Sequence, residues 1–186
     1  RYIQRGIVTG PPNEGDAGNG AAMRVLPAAI ASYREPPRAR SWAVEQGRVT
    51  HNHPLSDAAC DTIAGMLAAL ISGGGRAAAA RLADGLVGRY PTFRFVPYRG
   101  MSSAYVVDTL QTVFDGYFAT DTFEECLIRT VSHGGDADTT GAIVGALAGA
   151  TYGLEAIPKR WLKTLDRDAF ATIRVLVPAL LVIAEG

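Results

Sequence analysis

An all-α fold is predicted by three features of this 186-residue chain. Apolar residues recur at helical intervals in most segments, strict apolar/polar alternation is nearly absent, and Pro- or Gly-rich breaks cut the chain into helix-length pieces. With 48% hydrophobic residues, the chain can bury one core and reads as one domain.

The elements follow in order. "RYIQRGIVTG" lacks Met and reads as the tail of a helix entering a loop, so an upstream segment is expected. After "PPNEGDAGNG", the Ala-, Leu- and Ile-rich stretch from Ala21 to Tyr33 predicts a helix that stops before Pro36 and Pro37, with the next beginning near Ser41. Pro54 near a start, apolar spacing from Ala58 to Ile71, and the Gly73-Gly74-Gly75 terminator predict a further helix. Arg76 to Gly88 predicts another. "PTFRFVPYRG", with Phe93 and Phe95 alternating between prolines, predicts an extended loop or short strand. Ser103 to Tyr117 is helically spaced, and Thr122-Phe123-Glu124-Glu125 is a capping box opening a helix to Val131. Asp168 to Ala184 is helical but carries Pro178, which is expected to kink or split it.

Lys plus Arg and Asp plus Glu number 18 each, so no net field favours nucleic acid, and none is expected as a partner. Cys60 and Cys126 form no metal or disulfide pattern, which fits a reducing cytoplasm. The stretch Gly141 to Gly153 is shorter than the roughly 20 residues a membrane helix needs.

The chemistry concentrates in "GGDADTTGAIVGALAGATYG". Asp136 and Asp138 are two apart, so they converge only in a turn or at a helix start. Two such carboxylates repel unless a proton or cation lies between them, and carboxylate and hydroxyl oxygens, including Thr139, suit a hard divalent ion. Helix capping by one Asp is the plain alternative. An EF-hand is excluded because its twelfth position is Leu147 rather than Glu. A phosphatase Asp nucleophile would need a buried parallel strand where the sequence shows a helix end. Gly141, Gly145, Gly149 and Gly153 form a bare stripe costing about 1 kcal/mol per glycine relative to Ala, from which we expect a neighbouring helix backbone packed almost in contact.

This stretch resembles the C-terminal signature of the ADP-ribosylglycohydrolase family, written GGDTDTxGAIxGAxxGAxYG. "EGDAGNGAAMR" is similar to the family's G-N-G-x-x-M-R segment, "THNHPLSDAA" to its T-H segment, and "SSAYVVDTLQTVF" to its S-x-Y-V-x-x-T helix. The wording is most similar to the branch of nitrogen-fixing bacteria that acts on the nitrogenase iron protein. The resemblance implies a compact orthogonal all-α bundle around two divalent cations, Mn²⁺ or Mg²⁺, with Asp136, Asp138 and Thr139 as ligands and Asp136 in the catalytic centre. The family's remaining ligands, a Glu and a T-D-D segment, are absent from residues 1–186. The chain is therefore expected to be the C-terminal portion of one such domain, and alone to bind metal poorly and be inactive.

The implied reaction is hydrolysis of the bond between ADP-ribose and a protein arginine. Asp16 is the candidate for gripping the guanidinium or shuttling a proton, with an Asx-turn as its plain reading. Gly18, Asn19 and Gly20 are expected to offer donors to ribose or phosphate, His51 to contact pyrophosphate or ribose, Tyr105 to stack on adenine, and Ser103 to add a polar contact. His51 and His53 lack the partners of a zinc pair, and His133 can cap a helix end. The resemblance also implies the nitrogenase iron protein as substrate, a PII-family trimer and an ammonium transporter as regulators, and peripheral recruitment to the inner membrane. A non-catalytic ADP-ribose-binding module is the rival reading, a metal-dependent phosphatase the third.

Overall fold

The computed structural model describes Thr9 and residues 11–186; the helix tail expected in the first residues lies outside them. Among the described residues there are nine α-helices and no strand: α1 (Leu26–Ser32), α2 (Pro36–Arg48), α3 (Pro54–Ile71), α4 (Gly75–Arg89), α5 (Val106–Phe118), α6 (Phe123–Val131), α7 (Ala137–Tyr152), α8 (Lys159–Thr164) and α9 (Arg167–Glu185). An isolated antiparallel bridge joins Gly18 to Tyr105.

The bundle is built around α3, which packs against α1, α2, α4, α5 and α7. Its apolar residues go all round, as in a helix with neighbours on most sides: Ala59, Ile63, Ala64, Met66 and Leu67 are buried. This helix is long and apolar enough to cross a membrane, yet it is two-thirds buried, 67%, inside the protein. From α5, Leu110, Phe114 and Tyr117 join it, and from α7 come Ile143, Val144 and Leu147. Each fully buried Leu or Phe contributes roughly 1.5–3 kcal/mol.

Several boundaries depart from expectation, and prolines cause most of them. The region Ala21–Tyr33 is not one helix: a 3₁₀ turn at Ala22–Arg24 precedes α1, which carries Pro27 in its first turn. The preceding helix does end before Pro36 and Pro37, at Ser32, but α2 opens on those prolines rather than near Ser41, because at a helix start the missing N–H costs nothing. Of the two readings of the Phe93–Phe95 segment the loop holds and the strand does not. Pro91–Phe93 forms a 3₁₀ turn, with Phe93 buried and Phe95 stacked on Phe118. Helix α5 starts at Val106 because Tyr105 is held extended by the bridge to Gly18. Pro178 lies inside an unsplit α9. The short α8 has no counterpart in the sequence reading.

Thr122 caps α6 as expected: its hydroxyl accepts from the Glu125 N–H at 3.2 Å and donates to the Glu125 carboxylate at 3.0 Å. The glycine stripe of α7, by contrast, meets no neighbouring backbone. Gly141 faces Val131 and Gly145 faces Leu127, both side chains of α6; Gly149 faces open space, and Gly153 is the C-cap with φ +80°. The buried face of α7 is the adjacent one carrying Ile143, Val144, Leu147 and Ala148. Bulky α6 side chains, rather than a second bare helix, settle into the groove.

Candidate active site

The Gly134–Asp138 turn is fixed by a close approach that only glycine permits. Gly135 has φ +60°, and a Cβ there would lie 1.8 Å from the Ser102 carbonyl oxygen. That carbonyl accepts the Asp136 N–H at 3.0 Å. Asp136 is thereby set as N-cap of α7, with its carboxylate directed to the loop before α1. There Asn19 Nδ2 donates to Asp136 Oδ2 at 2.6 Å and to Thr109 Oγ1 at 2.9 Å. Asn19 and Thr109 are buried, at 6% and 0% exposure.

Donation from Asn19 holds the Asp136 carboxyl below the usual range; burial opposes this, and the Thr139 hydroxyl, Asp138 and the Thr139 N–H reinforce it. Asp136 is therefore ionised at neutral pH. Asp138 is exposed beside it, and Thr139 is buried with its hydroxyl toward the Met23 sulfur at 3.6 Å.

A second group lies along the same loop. The His51 imidazole rests on bare backbone, since a Cβ at Gly20 would come within 2.8 Å of His51 Cε1 and one at Gly18 within 3.0 Å of Nε2. Thr50 Oγ1 sits 2.7 Å from His51 Nδ1 and accepts from Arg24, which is anchored on Gln46. Burial, then the Arg24 charge, lower the His51 pKa against the opposing pull of Asp16. Asp16 is half-buried in a 3₁₀ turn, Glu14–Asp16, capped by Asn13, whose side chain also donates to Asp16 Oδ1 at 3.3 Å. Its backbone carbonyl accepts from Ser56.

The third wall is the segment before α5. Asn19 N–H donates to the Ala104 carbonyl and Val106 N–H to the Ala17 carbonyl, both at 2.9 Å. Ser103 is occupied, donating to Asp108 at 2.6 Å and accepting from the Tyr105 N–H. Tyr105 stands on the rim, 41% exposed. Asn19 thus links the Asp136 turn to the loop of Gly18 and Gly20, on which His51 rests, and the Gly18–Tyr105 bridge brings the segment of Ser103 and Tyr105 beside that loop. His133 faces away, against Tyr98 and 3.8 Å from Asp115.

The donor chemistry of Asp136, Asp138 and Thr139 suits a hard cation. Among the described residues, however, no group of three or more His, Cys, Asp and Glu side chains could hold a metal, so the turn offers part of a coordination sphere. A separate cavity of about 400 Å³, lined by Arg40, Arg48, Asp57, Asp61, Arg89 and Tyr90 among others, shares no residue with this surface. There Asp57 and Asp61 pair with Arg48 and Arg40.

A family profile described as ADP-ribosylglycohydrolase matches residues 2–185. The chain belongs to the ADP-ribosylglycohydrolase family. Over 99% of its length it is 55% identical to the ADP-ribosyl-[dinitrogen reductase] glycohydrolase of Rhodospirillum rubrum, covering 63% of that protein. It is 33% identical over 80% of its length to the ADP-ribosylarginine hydrolase Tri1 of Serratia proteamaculans, covering 43% of it. A solved structure of an ADP-ribosylglycohydrolase-related protein complex superposes with a TM-score of 0.82 at 32% identity, over 99% of this chain and 66% of that one. The chain thus spans less than two thirds of these relatives. Family membership accounts for the all-α bundle and for the long signature beginning at Gly134.

What the sequence reading missed are the supports. Thr109 stood in the S-x-Y-V-x-x-T segment but counted only as a helically spaced residue. Arg24 and the Ser102 carbonyl gave no signal beyond their place in two signatures.

Proposed function

We propose that the protein carrying this chain is a metal-dependent hydrolase that removes ADP-ribose from a modified arginine, with the nitrogenase iron protein as target. One observation carries the reading: Asn19 and Asp136, which are 117 residues apart, meet at 2.6 Å. That contact joins the glycine-lined His51 loop and the carboxylate turn into one surface. The names of the relatives support the substrate class. One acts on ADP-ribosyl-dinitrogen reductase and another on ADP-ribosylarginine.

Asp136, Asp138 and Thr139 would hold divalent cations, Mn²⁺ or Mg²⁺, together with ligands from outside residues 1–186. Bound there, the cations would orient the ribose hydroxyls and render a water more acidic. The chain's own residues do the rest. Ionised Asp136 would stabilise the positive charge that develops at the anomeric carbon as the bond to the guanidine nitrogen breaks. Thr50 accepts an Arg24 N–H, and with its own proton given to His51 Nδ1 the neutral imidazole would carry its proton on Nε2. Beside Gly18 and Gly20, that N–H would serve as a donor for pyrophosphate or ribose. Asp16 holds the guanidinium and passes the water's proton to the departing nitrogen, while the water oxygen bonds to carbon. Tyr105 offers its ring to adenine from the rim. The proposal extends, on family resemblance, to a cytoplasmic enzyme controlled by a PII-family trimer and an ammonium transporter at the inner membrane.

The incomplete donor set among the described residues favours a second reading, an ADP-ribose-binding module. Full-length protein incubated with ADP-ribosyl-arginine, with and without Mn²⁺, separates them. Release of ADP-ribose only with metal is the expected result; binding without release in either condition overturns the hydrolase.

A further inference from the structure

Thr109 lies outside the reacting surface, yet it decides how that surface is set. It is fully buried on α5, so no substrate touches it. Its hydroxyl has one proton, which it donates to the Ser103 carbonyl at 3.1 Å, and so toward Asn19 it can only accept. The neighbour it receives is ambiguous by shape: the two ends of an Asn amide are nearly equal in size and opposite in hydrogen-bonding character. With Nδ2 toward Thr109, the second hydrogen on that nitrogen reaches Asp136 Oδ2. Turned over, the amide would present its carbonyl oxygen to both a carboxylate and an oxygen that has no proton to give.

We propose that Thr109 is a positioning residue that locks the Asn19 amide in one orientation, so that Asp136 always meets an N–H and is held in the rotamer that faces the substrate surface. The Asn19 main chain is fixed independently, by its N–H on the Ala104 carbonyl, which leaves the side-chain flip as the one freedom Thr109 removes. Asn19 then serves Asp136 rather than the sugar, because both Nδ2 hydrogens and the backbone N–H are occupied. The inference rests on the hydrolase reading for its effect on turnover, but not for its effect on the amide.

The test compares Thr109→Val, which keeps the shape and deletes the acceptor, with Thr109→Ser, which keeps the acceptor, in full-length protein. In the wild type and Thr109→Ser, the Asn19 side-chain NH₂ should show two resolved proton resonances slow to exchange with solvent; in Thr109→Val that protection should be lost. Release of ADP-ribose should fall roughly tenfold in kcat for Thr109→Val with KM unchanged, and return to within twofold for Thr109→Ser. Should Thr109→Val not fold, Thr109→Ala takes its place in the same comparison. Retained amide protection without the acceptor overturns the proposal, as does equal loss in the Val and Ser variants. Protection lost as expected in a protein that never releases ADP-ribose would leave the lock standing and sink the hydrolase reading instead.

Discussion

His51 is a residue whose charge the fold resists. Burial and Arg24 lower its pKa below 6.5, outweighing Asp16. On acidification the unfolded chain takes up the His51 proton first, so stability that is whole above pH 6.5 declines as pH falls through the folded value. The melting temperature should therefore drop below pH 6.5 more steeply in the native protein than in His51→Gln. Parallel pH profiles would show that the imidazole is not held neutral. The same neutrality suits a donor that must approach pyrophosphate without also pairing tightly with Asp16.

At the scale of elements, the decisive joint is the turn between α6 and α7, which docks on Ser102. Gly134 and Gly135 both have positive φ, at +70° and +60°, but only Gly135 is pressed against another chain segment. Gly134→Ala should cost about 1–2 kcal/mol from backbone conformation alone. Gly135→Ala adds displacement of the Ser102 carbonyl and should cost about 2–4 kcal/mol. Urea unfolding of the two variants checks this, and equal losses would mean that the docking contributes nothing. The helices themselves were largely legible: α3, α4 and α6 announce themselves through apolar spacing, a glycine terminator and the Thr122 cap. The starts of α1 and α2 were not, because a proline ends one helix and opens the next with the same chemistry. The glycine stripe read as a demand for close packing along its whole length, but only Gly141 is tightly met, by Val131, since the side chains facing α7 lie on a helix whose direction the sequence does not encode locally. In the site, carboxylates and histidine stand out by residue type. Thr109 does not, because a buried hydroxyl on an apolar helix face looks like core until its partners are seen.

On the scale of the whole molecule, packing is uneven. Helix α3 gathers five neighbours, whereas α9 packs among the described residues mainly on α1 and has no buried residue. Its Ile173, Val175, Leu176 and Val182 are 49%, 70%, 54% and 67% exposed. A helix held on one side opens at a lower free energy than the core it borders. In the 186-residue polypeptide, amides of α9 should exchange with deuterium well before those of α3, α5 and α7, and trypsin should cut first near Lys163 or Arg167. Simultaneous exchange of α3 and α9 would show one cooperative unit. Because the anchor of α9 on α1 leaves the Ser102 docking and the Asn19 contact untouched, the polypeptide could shed this last helix like a hinged flap. The trimmed remnant should still present Asp136 in its original pose.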